Sequence, residues 1–489
     1  MTTRYVMFFL IAVMTLGLVF LLVTRDRPAH DAPMEILHEV PDAAVAAVDA
    51  GVDAALADAA TVALTGDAAS DAARPSGPPL RIATLGWELV APGVGLAPTP
   101  SLSFELAPEG ALDAVEARLA RGGSDPAGAD IAILPLPAFV ASYERLRALD
   151  PRVFAVVGFS HGREEVHAAP GALTKAPPAA DEVKLVALGS SADATARAAT
   201  NESASVLGLF ALDLLGVAPS RIRIVAPATE DAKTALAAAI VKGTPDERKL
   251  AFSSADASRL VPIVAIAPSG VLAAKEMQLR EWTRTWIDGA GKVRLDVPGI
   301  ARRLAAKEML PLASGVGGAP EALALVERLG QIEDAALADE NALFGSSAAV
   351  TLAGLAQRTW QLERAAGLIA NGAPEPLPVD ARIVGAVAPA AAPAATEDAD
   401  AGAYKPVPAG AVTLVTYRAV DADAAAVANQ IWFLSGVFDR ATFRVAAKGG
   451  AKAAKAIADA ARAKGVPASR LATVATEPGV FAAVDILAR

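Results

Sequence analysis

Apolar runs alternate with amphipathic segments along much of the chain. The run LRIATLGW at residues 80–87 predicts a strand that enters a glycine turn, and EGALDAVEARLARGG further along predicts a helix. ADIAILPL, RVFAVVGF, SRIRIVAP and LVPIVAIAP predict further strands, with helical patterns between them. Strands spaced by helices indicate an α/β fold with a parallel or mixed sheet that is covered on both faces.

Two helical segments show an apolar face in the sequence. The apolar positions at helical spacing are Leu207, Phe210 and Leu214 in NESASVLGLFALDLLG, and Leu279, Trp282 and Trp286 in AKEMQLREWTRTWIDG. We predict that one face of each helix packs against a sheet, because an amphipathic helix buries its apolar stripe.

The N-terminus predicts a membrane segment. Residues 5–23, YVMFFLIAVMTLGLVFLLV, contain no charged side chain and show no polar face. A helix of that length spans about 30 Å, which is one hydrocarbon core. We predict a transmembrane or signal anchor over residues 1–24, with a cleaved signal peptide as the alternative. Either alternative places the bulk of the chain outside the cytoplasm, and the anchor makes it a single-pass inner-membrane protein facing the periplasm.

Two further segments lack the bulky apolar residues that a packed core needs. Residues 41–79 are mostly Ala, Asp and Val, and residues 388–410 add proline to a similar composition. We predict that they are spacers. The predicted organisation is an anchor (1–24), an Ala/Asp-rich linker (25–78), a large α/β domain (79–385), an Ala/Pro linker (386–408) and a small C-terminal domain (409–489).

Composition excludes several classes of function. The 489 residues include 44 Lys and Arg against 54 Asp and Glu, for a net charge of −10. Nucleic acid is not an expected partner, because phosphate binding needs clustered basic residues. The chain contains no cysteine, which excludes disulfides, cysteine zinc sites and thiol nucleophiles.

The pentapeptide GFSHG at residues 158–162 matches the nucleophile elbow of serine hydrolases, which places a serine between a strand and a helix. A serine nucleophile needs a base, usually a histidine that follows it in that fold. The last of the four histidines is His167, only seven residues after Ser160. We therefore predict that Ser160 is not a nucleophile and that the protein is not an enzyme. A loop at a sheet edge, where open α/β sheets bind ligands, is the preferred interpretation.

Metal and cofactor motifs are weak. PGVGLAP has Pro98 where a dinucleotide fingerprint has its third glycine. His161 and His167, with Glu164 and Glu165, could chelate a metal weakly, and a solvated loop explains them better. We predict neither a cofactor nor a metal.

The large block resembles type 2 periplasmic solute-binding proteins of the nitrate, sulfonate and taurine branch. The resemblance is carried by LRIATLGW, DIAILPLPAFV, VFAVVGFSHGREEVHA, ASVLGLFALDLLGVAPSRIRIV and AKEMQLREWTRTWIDGAGKVRLDVPGIARRLA. It implies two α/β lobes with a ligand between them, the first lobe ending at about Phe154 and resuming after about Pro268. It also implies an ABC permease as a partner. The ligand-binding candidates that it implies are Gly86, Trp87, Pro135, Ser160, Ser190 and Ser203.

The small block, residues 411–489, resembles OmpA-like domains, which implies a small α/β sandwich. DADAAAVANQIWFLSGVFDRATFRV and KAIADAARAKGVPASRL carry this resemblance. Those domains hold peptidoglycan through an Asp and an Arg, whereas the matching stretch AAKGGAKAAKAI offers Lys448, Lys452 and Lys455 without an acid. We therefore do not expect peptidoglycan to bind here through the site of that family.

The expected protein is a membrane-anchored, extracytoplasmic solute-binding protein that captures a small polar ligand between two lobes. The alternative is a structural or sensory envelope protein whose binding lobe holds no ligand. The predicted fold class is α/β: a two-lobed type 2 periplasmic-binding-protein fold and a small α/β sandwich, behind one N-terminal transmembrane helix.

Overall fold

The computed structural model describes most of the chain after residue 77. The described residues are 78–96, 102–187, 199–227, 229–243, 246–306, 322–387, 407, 410–420, 422–476 and 478–488. The predicted anchor, the linker after it and most of residues 386–408 lie outside this part of the chain. Among the described helices, none is both long enough and apolar enough to cross a membrane.

Strands alternate with helices along the described residues, as the sequence pattern predicts. In chain order the strands are β1 (Leu80–Leu85), β2 (Phe104–Glu109), β3 (Ile131–Pro135), β4 (Pro151–Ser160), β5 (Glu164–Ala168), β6 (Val183–Val186), β7 (Ile222–Val225), β8 (Ala237–Val241), β9 (Lys249–Ser253), β10 (Pro262–Pro268), β11 (Ile332–Asp334), β12 (Thr413–Ala419), β13 (Thr442–Ala447), β14 (Leu471–Thr473) and β15 (Ala482–Leu487). The helices are α1 (Ala91–Val94), α2 (Leu112–Arg121), α3 (Leu136–Leu146), α4 (Ala199–Leu214), α5 (Glu230–Lys233), α6 (Ser269–Ala274), α7 (Glu276–Leu295), α8 (Val297–Ala306), α9 (Ala322–Leu329), α10 (Leu337–Phe344), α11 (Leu352–Ala365), α12 (Arg382–Val387), α13 (Ala424–Val437) and α14 (Gly450–Ala463).

Two mixed sheets define two lobes, and this confirms the predicted two-lobed α/β fold. The first lobe has the strand order β11-β4-β10-β3-β1-β2, and the second lobe has the order β7-β6-β8-β5-β9. The chain crosses to the second lobe between β4 and β5, and it returns between β9 and β10. The expected boundary at Phe154 and Pro268 is displaced to Ser160 and Pro262, because β4 and β10 pair along almost their whole length within the first lobe.

Aromatic packing fixes β4, the strand that leads into the first crossing. Trp282 and Trp286 of α7 are at most 1% exposed, as their helical spacing predicts. The ring centroid of Trp282 lies 5.1 Å from that of Trp286 and 5.7 Å from that of Phe154 in β4. Such aromatic clusters bury a large area per side chain, so the crossing starts from a rigid support.

The C-terminal residues form a small α/β sandwich, as predicted. Its mixed sheet has the order β12-β15-β13-β14, and α14 packs on β13 and on α13. Phe443 and Val445 of β13 are buried, whereas Arg444 points to the opposite face and pairs with Asp485 of β15 (Nη2–Oδ2 2.6 Å). This alternation matches a sheet with one buried face. Its kinship with OmpA-like domains stays a prediction.

The sandwich packs against the second lobe through α4. The sequence predicts one apolar face for this helix, but Val206, Leu209 and Leu212 are as deeply buried as Phe210. Four elements pack against α4: β8 of the second lobe, the helices α3 and α11, and β12 of the sandwich. A helix that is apolar on all sides requires burial on all sides, and the sandwich supplies the cover that the two lobes do not.

Aromatic rings hold this docked arrangement together. Phe210 of α4 contacts Phe433 and Phe438 of the sandwich, with ring centroids 6.5 and 6.3 Å apart. Phe252 of β9 lies 6.1 Å from Phe438. One hydrophobic core therefore continues from the second lobe into the sandwich.

Candidate functional site

The first lobe contributes a charged turn at the end of β1. Gly86 has a φ of +99°, a conformation that favours glycine, and the turn leads directly to Trp87 and Glu88. Thr84 Oγ1 donates a hydrogen bond of 2.8 Å to the carbonyl oxygen of Gly86. Trp87 and Glu88 are only 1% and 4% exposed. Since a buried carboxylate is costly without a partner, Glu88 requires a cation nearby.

Two arginines supply that cation, and one of them comes from the other lobe. Arg163, at the start of the second lobe, places Nη2 3.0 Å from Glu88 Oε1. Arg328 of α9 places Nη2 3.3 and 3.4 Å from the two oxygens of the same carboxylate. Its guanidinium also lies 4.9 Å from the centroid of the Trp87 ring. The ion pair of Glu88 with Arg163 therefore joins the two lobes.

Ser160 and Glu164, which are close to Arg163 along the chain, belong to a buried polar network. Ser160 Oγ donates a hydrogen bond to Glu164 Oε2 and lies 3.2 Å from Ser254 Oγ. Ser254 Oγ accepts from the backbone N–H groups of Arg163 (3.1 Å) and Glu164 (3.3 Å). Burial raises the pKa of Glu164, although the charge of Arg163 and the hydrogen bonds of the two serines oppose this shift. The network ties the end of β4 to the start of the second crossing, because Ser160 is the last residue of β4 and Ser254 directly follows β9.

The GFSHG segment does not form a nucleophile elbow. β4 continues to Ser160, and β5 begins at Glu164, so that a strand follows the turn and not a helix. Ser160 is 3% exposed, and its hydroxyl is bonded to Glu164. The preferred interpretation of a loop is corrected in one respect, since Ser160 is the last residue of a buried strand.

Other predicted site residues occupy different places. Pro135 ends β3 and pairs with Ile263 of β10. Ser203 is fully buried in α4, and its hydroxyl has no hydrogen-bond partner among the described residues. Ser190 lies outside the described part of the chain. The structure brings the Gly86–Trp87 turn to the Ser160 network through Arg163, while the ligand-binding role of all six candidates stays a prediction.

Sequence reasoning missed the charged members of this cluster. Glu88 directly follows Trp87, and Arg163 directly follows GFSHG, so both stand where a predicted strand ends. Polar residues at the carboxyl ends of strands are positioned for ligand binding in open α/β sheets, and this signal was available. Arg328 carried no comparable signal, because it lies on a helix far along the chain.

The two histidines among the described residues each lie near a different carboxylate. His167 Nε2 lies 2.9 Å from Glu165 Oε2, and its Nδ1 lies 3.1 Å from the carbonyl oxygen of Arg248. His161 Nδ1 lies 3.6 Å from Glu333 Oε2. Within the described residues, no group of three or more His, Asp or Glu side chains is arranged to hold a metal ion.

We predict that the stability of the protein depends on pH through Asp334. This residue lies in β11 and pairs with Gly158 of β4. Burial raises the pKa of Asp334 to about 7 from 3.8, while Arg294 partly opposes the shift. Between these values the folded chain holds a proton that the unfolded chain has lost, so the free energy of unfolding falls as the pH rises. We expect Asp334→Asn to stabilise the protein at pH 8 by about 1–3 kcal/mol, after discounting for partial exposure, and to change little at pH 4.

Thermal unfolding followed by circular dichroism at pH 4, 6 and 8 tests this expectation. Asp288→Asn is the control, because that side chain is 68% exposed on α7. An equal effect of Asp334→Asn at all three pH values would contradict the assignment.

Among known proteins, only solved structures were found to be similar to this chain. No family model matches the chain, and no curated protein sequence matches it. The alkanesulfonate-binding protein SsuA from Xanthomonas axonopodis pv. citri is 16% identical, with a TM-score of 0.38, over 60% of this chain and 94% of that chain. The periplasmic aliphatic sulphonate binding protein SsuA from Escherichia coli is 15% identical, with a TM-score of 0.39, over 60% and 90%.

The periplasmic nitrate-binding protein NrtA from Synechocystis PCC 6803 is 9% identical, with a TM-score of 0.30, over 48% of this chain and 67% of that chain. These similar structures are of proteins that bind sulfonates or nitrate, and the last two are described as periplasmic. The similarity is too distant to assign a ligand or a partner to this chain.

Proposed function

We propose that this protein binds a small polar solute between its two lobes and catalyses no reaction. The observation that carries the proposal is the meeting of Glu88 from the first lobe with Arg163 from the second, in a buried polar cluster at the ends of β1 and β4. Ligands of open α/β sheets bind at such strand ends. Trp87 Nε1 and Glu164 Oε1 are buried polar atoms of this cluster without a hydrogen-bond partner among the described residues.

The charges of the cluster favour an anionic head group. Two guanidinium groups, from Arg163 and Arg328, share the single carboxylate of Glu88. Burial raises the pKa of Glu164, so this carboxyl ionises less readily than an exposed one and competes less with a bound anion for the guanidinium groups. Guanidinium groups bind planar or tetrahedral oxyanions through paired hydrogen bonds, so a small carboxylate, nitrate or sulfonate matches the cluster.

The cellular setting is part of the proposal. The uncharged N-terminal run supports a single-pass anchor in the inner membrane, with the described residues in the periplasm. A binding protein placed there delivers its ligand to an ABC permease. Peptidoglycan is not a proposed partner, although one premise of that expectation needs correction: Lys455 does have an acid nearby, since its Nζ lies 2.7 Å from Asp459 Oδ2.

A structural or sensory role without a ligand is the second candidate. The pair of Glu88 and Arg163 already links the lobes, so an internal carboxylate occupies a guanidinium that a ligand would use. A solute must then compete with Glu88 for Arg163. If no small anion does so, the cluster serves as a fixed joint between the lobes.

Thermal unfolding of the full-length chain with small ions distinguishes the two candidates. We expect nitrate, methanesulfonate or acetate to raise the Tm relative to chloride at equal ionic strength, and methylammonium to leave it unchanged. A ligand at a hundredfold excess over its Kd stabilises the folded state by about 2.7 kcal/mol. Glu88→Gln/Arg163→Met/Arg328→Met should abolish this response, because it removes the buried carboxylate together with both guanidinium groups that pair with it and leaves none of the three charges unpaired.

The matched control removes an exposed ion pair elsewhere. In the second lobe Arg223 Nε lies 2.8 Å from Glu182 Oε1, and both side chains are about half exposed. Glu182→Gln/Arg223→Met should therefore retain the response to anions. A wild-type Tm that none of the anions raises would favour the second candidate, and a response that survives in Glu88→Gln/Arg163→Met/Arg328→Met would contradict the proposed site.

A further inference from the structure

The second crossing, residues 254–261, is bonded to the C-terminal sandwich. The backbone N–H of Arg259 donates to the carbonyl oxygen of Val437, the last residue of α13, at 3.3 Å. The guanidinium of Arg259 lies 4.2 Å from the ring centroid of Phe159, at the end of β4. Its Nη2 donates to Glu333 Oε1 of β11 at 2.9 Å. One residue of the crossing thus contacts the sandwich, β4 and β11.

The turn that ends α13, residues 436–438, contacts both sides of the molecule. Phe438 packs against Phe210 and Phe252 of the second lobe. Gly436 approaches the segment before α11 so closely that an added Cβ would lie 2.6 Å from Val350 Cγ2 and 3.0 Å from Ala349 Cβ.

The segment before α11 leads to the first lobe. Trp360 of α11 packs edge-to-face on Phe139 and Tyr143 of α3, with ring centroids 6.2 and 5.6 Å apart. The turn at residues 436–438 therefore contacts the second lobe on one side and, on the other, a segment that leads through α11 to α3 of the first lobe, although α3 and α11 also pack on α4. Rotation of one lobe relative to the other must change its distances to Phe210 on one side and to Val350 on the other.

We propose that the C-terminal sandwich is a built-in restraint on lobe movement, acting through the turn at residues 436–438 and through Arg259. Hinges work because a few residues absorb changes in φ and ψ while the bodies on either side stay rigid. Here the backbone of the second crossing is bonded to a third body, and the side chain of Arg259 is bonded to the first lobe. Close-packed contacts of this kind do not deform continuously. Opening the lobes requires the turn to lose its contacts on one side.

This inference concerns movement and not the identity of a ligand, so it can be tested without one. The chain contains no cysteine, so two introduced cysteines are the only labelling sites. Arg147→Cys in the first lobe and Lys233→Cys in the second replace side chains that are 67% and 71% exposed. Spin labels at both positions report the distance between the lobes by pulsed electron resonance.

Two variants release the restraint by different routes. Gly436→Val forces the turn away from Val350, and Arg259→Lys keeps the positive charge but loses the planar guanidinium that contacts Phe159 and Glu333. We expect a narrow distance distribution in the labelled parent and a distribution at least about twice as wide in each variant, since a released hinge samples several lobe angles.

Gly291→Val is the matched control, because a Cβ at this position of α7 meets no atom within 4 Å. It should keep the narrow distribution of the parent. Variants that unfold cooperatively and still show the narrow distribution would overturn the restraint. If Gly436→Val does not fold, Arg259→Lys decides the question. This outcome is independent of anion binding at Glu88 and Arg163, so the restraint and the proposed function can fail separately.

Discussion

Phe210→Ala is expected to destabilise the protein by about 3–5 kcal/mol, the range for truncating a fully buried phenylalanine. Phe210 is 0% exposed and contacts rings of the sandwich as well as the core of the second lobe. The cavity therefore opens at the boundary of two packed bodies, where neither can collapse without disturbing the other. The urea midpoint and the Tm measure the loss.

Met277→Ala is the control for Phe210→Ala. Met277 is 76% exposed on α7, and its replacement should change stability by no more than about 0.5 kcal/mol. A loss of less than about 1 kcal/mol in Phe210→Ala would show that the sandwich does not pack on α4 as described.

Two glycine-to-alanine changes in helices are expected to have opposite signs. In α4 a Cβ on Gly208 would lie 2.6 Å from Ala239 Cβ in β8 and 3.1 Å from Leu185 Cδ1 in β6. The alanine methyl group cannot rotate away, so Gly208→Ala should force the helix off its sheet at a cost of about 1–3 kcal/mol. This cost exceeds the gain of about 1 kcal/mol in helix propensity.

Gly291→Ala is the matched variant. A Cβ on Gly291 of α7 meets nothing within 4 Å, so only the propensity gain of about 0.5–1 kcal/mol remains. Chemical denaturation of both variants under one condition gives the comparison. Stabilisation by Gly208→Ala would contradict the close approach of α4 to β8, and destabilisation by Gly291→Ala would contradict the open surroundings of that residue.

The sequence alone determined the local elements and the class of fold. Apolar runs bounded by glycine and polar residues predicted β1, β3, β4 and β10, and helical spacing predicted the buried face of α7. These signals are local, because the hydrophobic periodicity of a strand or a helix is visible within about a dozen residues. The turn at Gly86–Trp87 and the segment ending at Ser160 were found for the same reason.

Only the tertiary structure decided how distant segments meet. The pairing of Glu88 with Arg163 requires two lobes to approach each other across 75 positions of the chain, and neither residue carries a periodic signal that names its partner. For α4 the sequence did contain a clue, since Val206, Leu209 and Leu212 leave it without a polar face. That pattern predicts burial on all sides but not which element supplies it, because apolar contact is non-directional. The element is the sandwich, about 200 residues further along the chain.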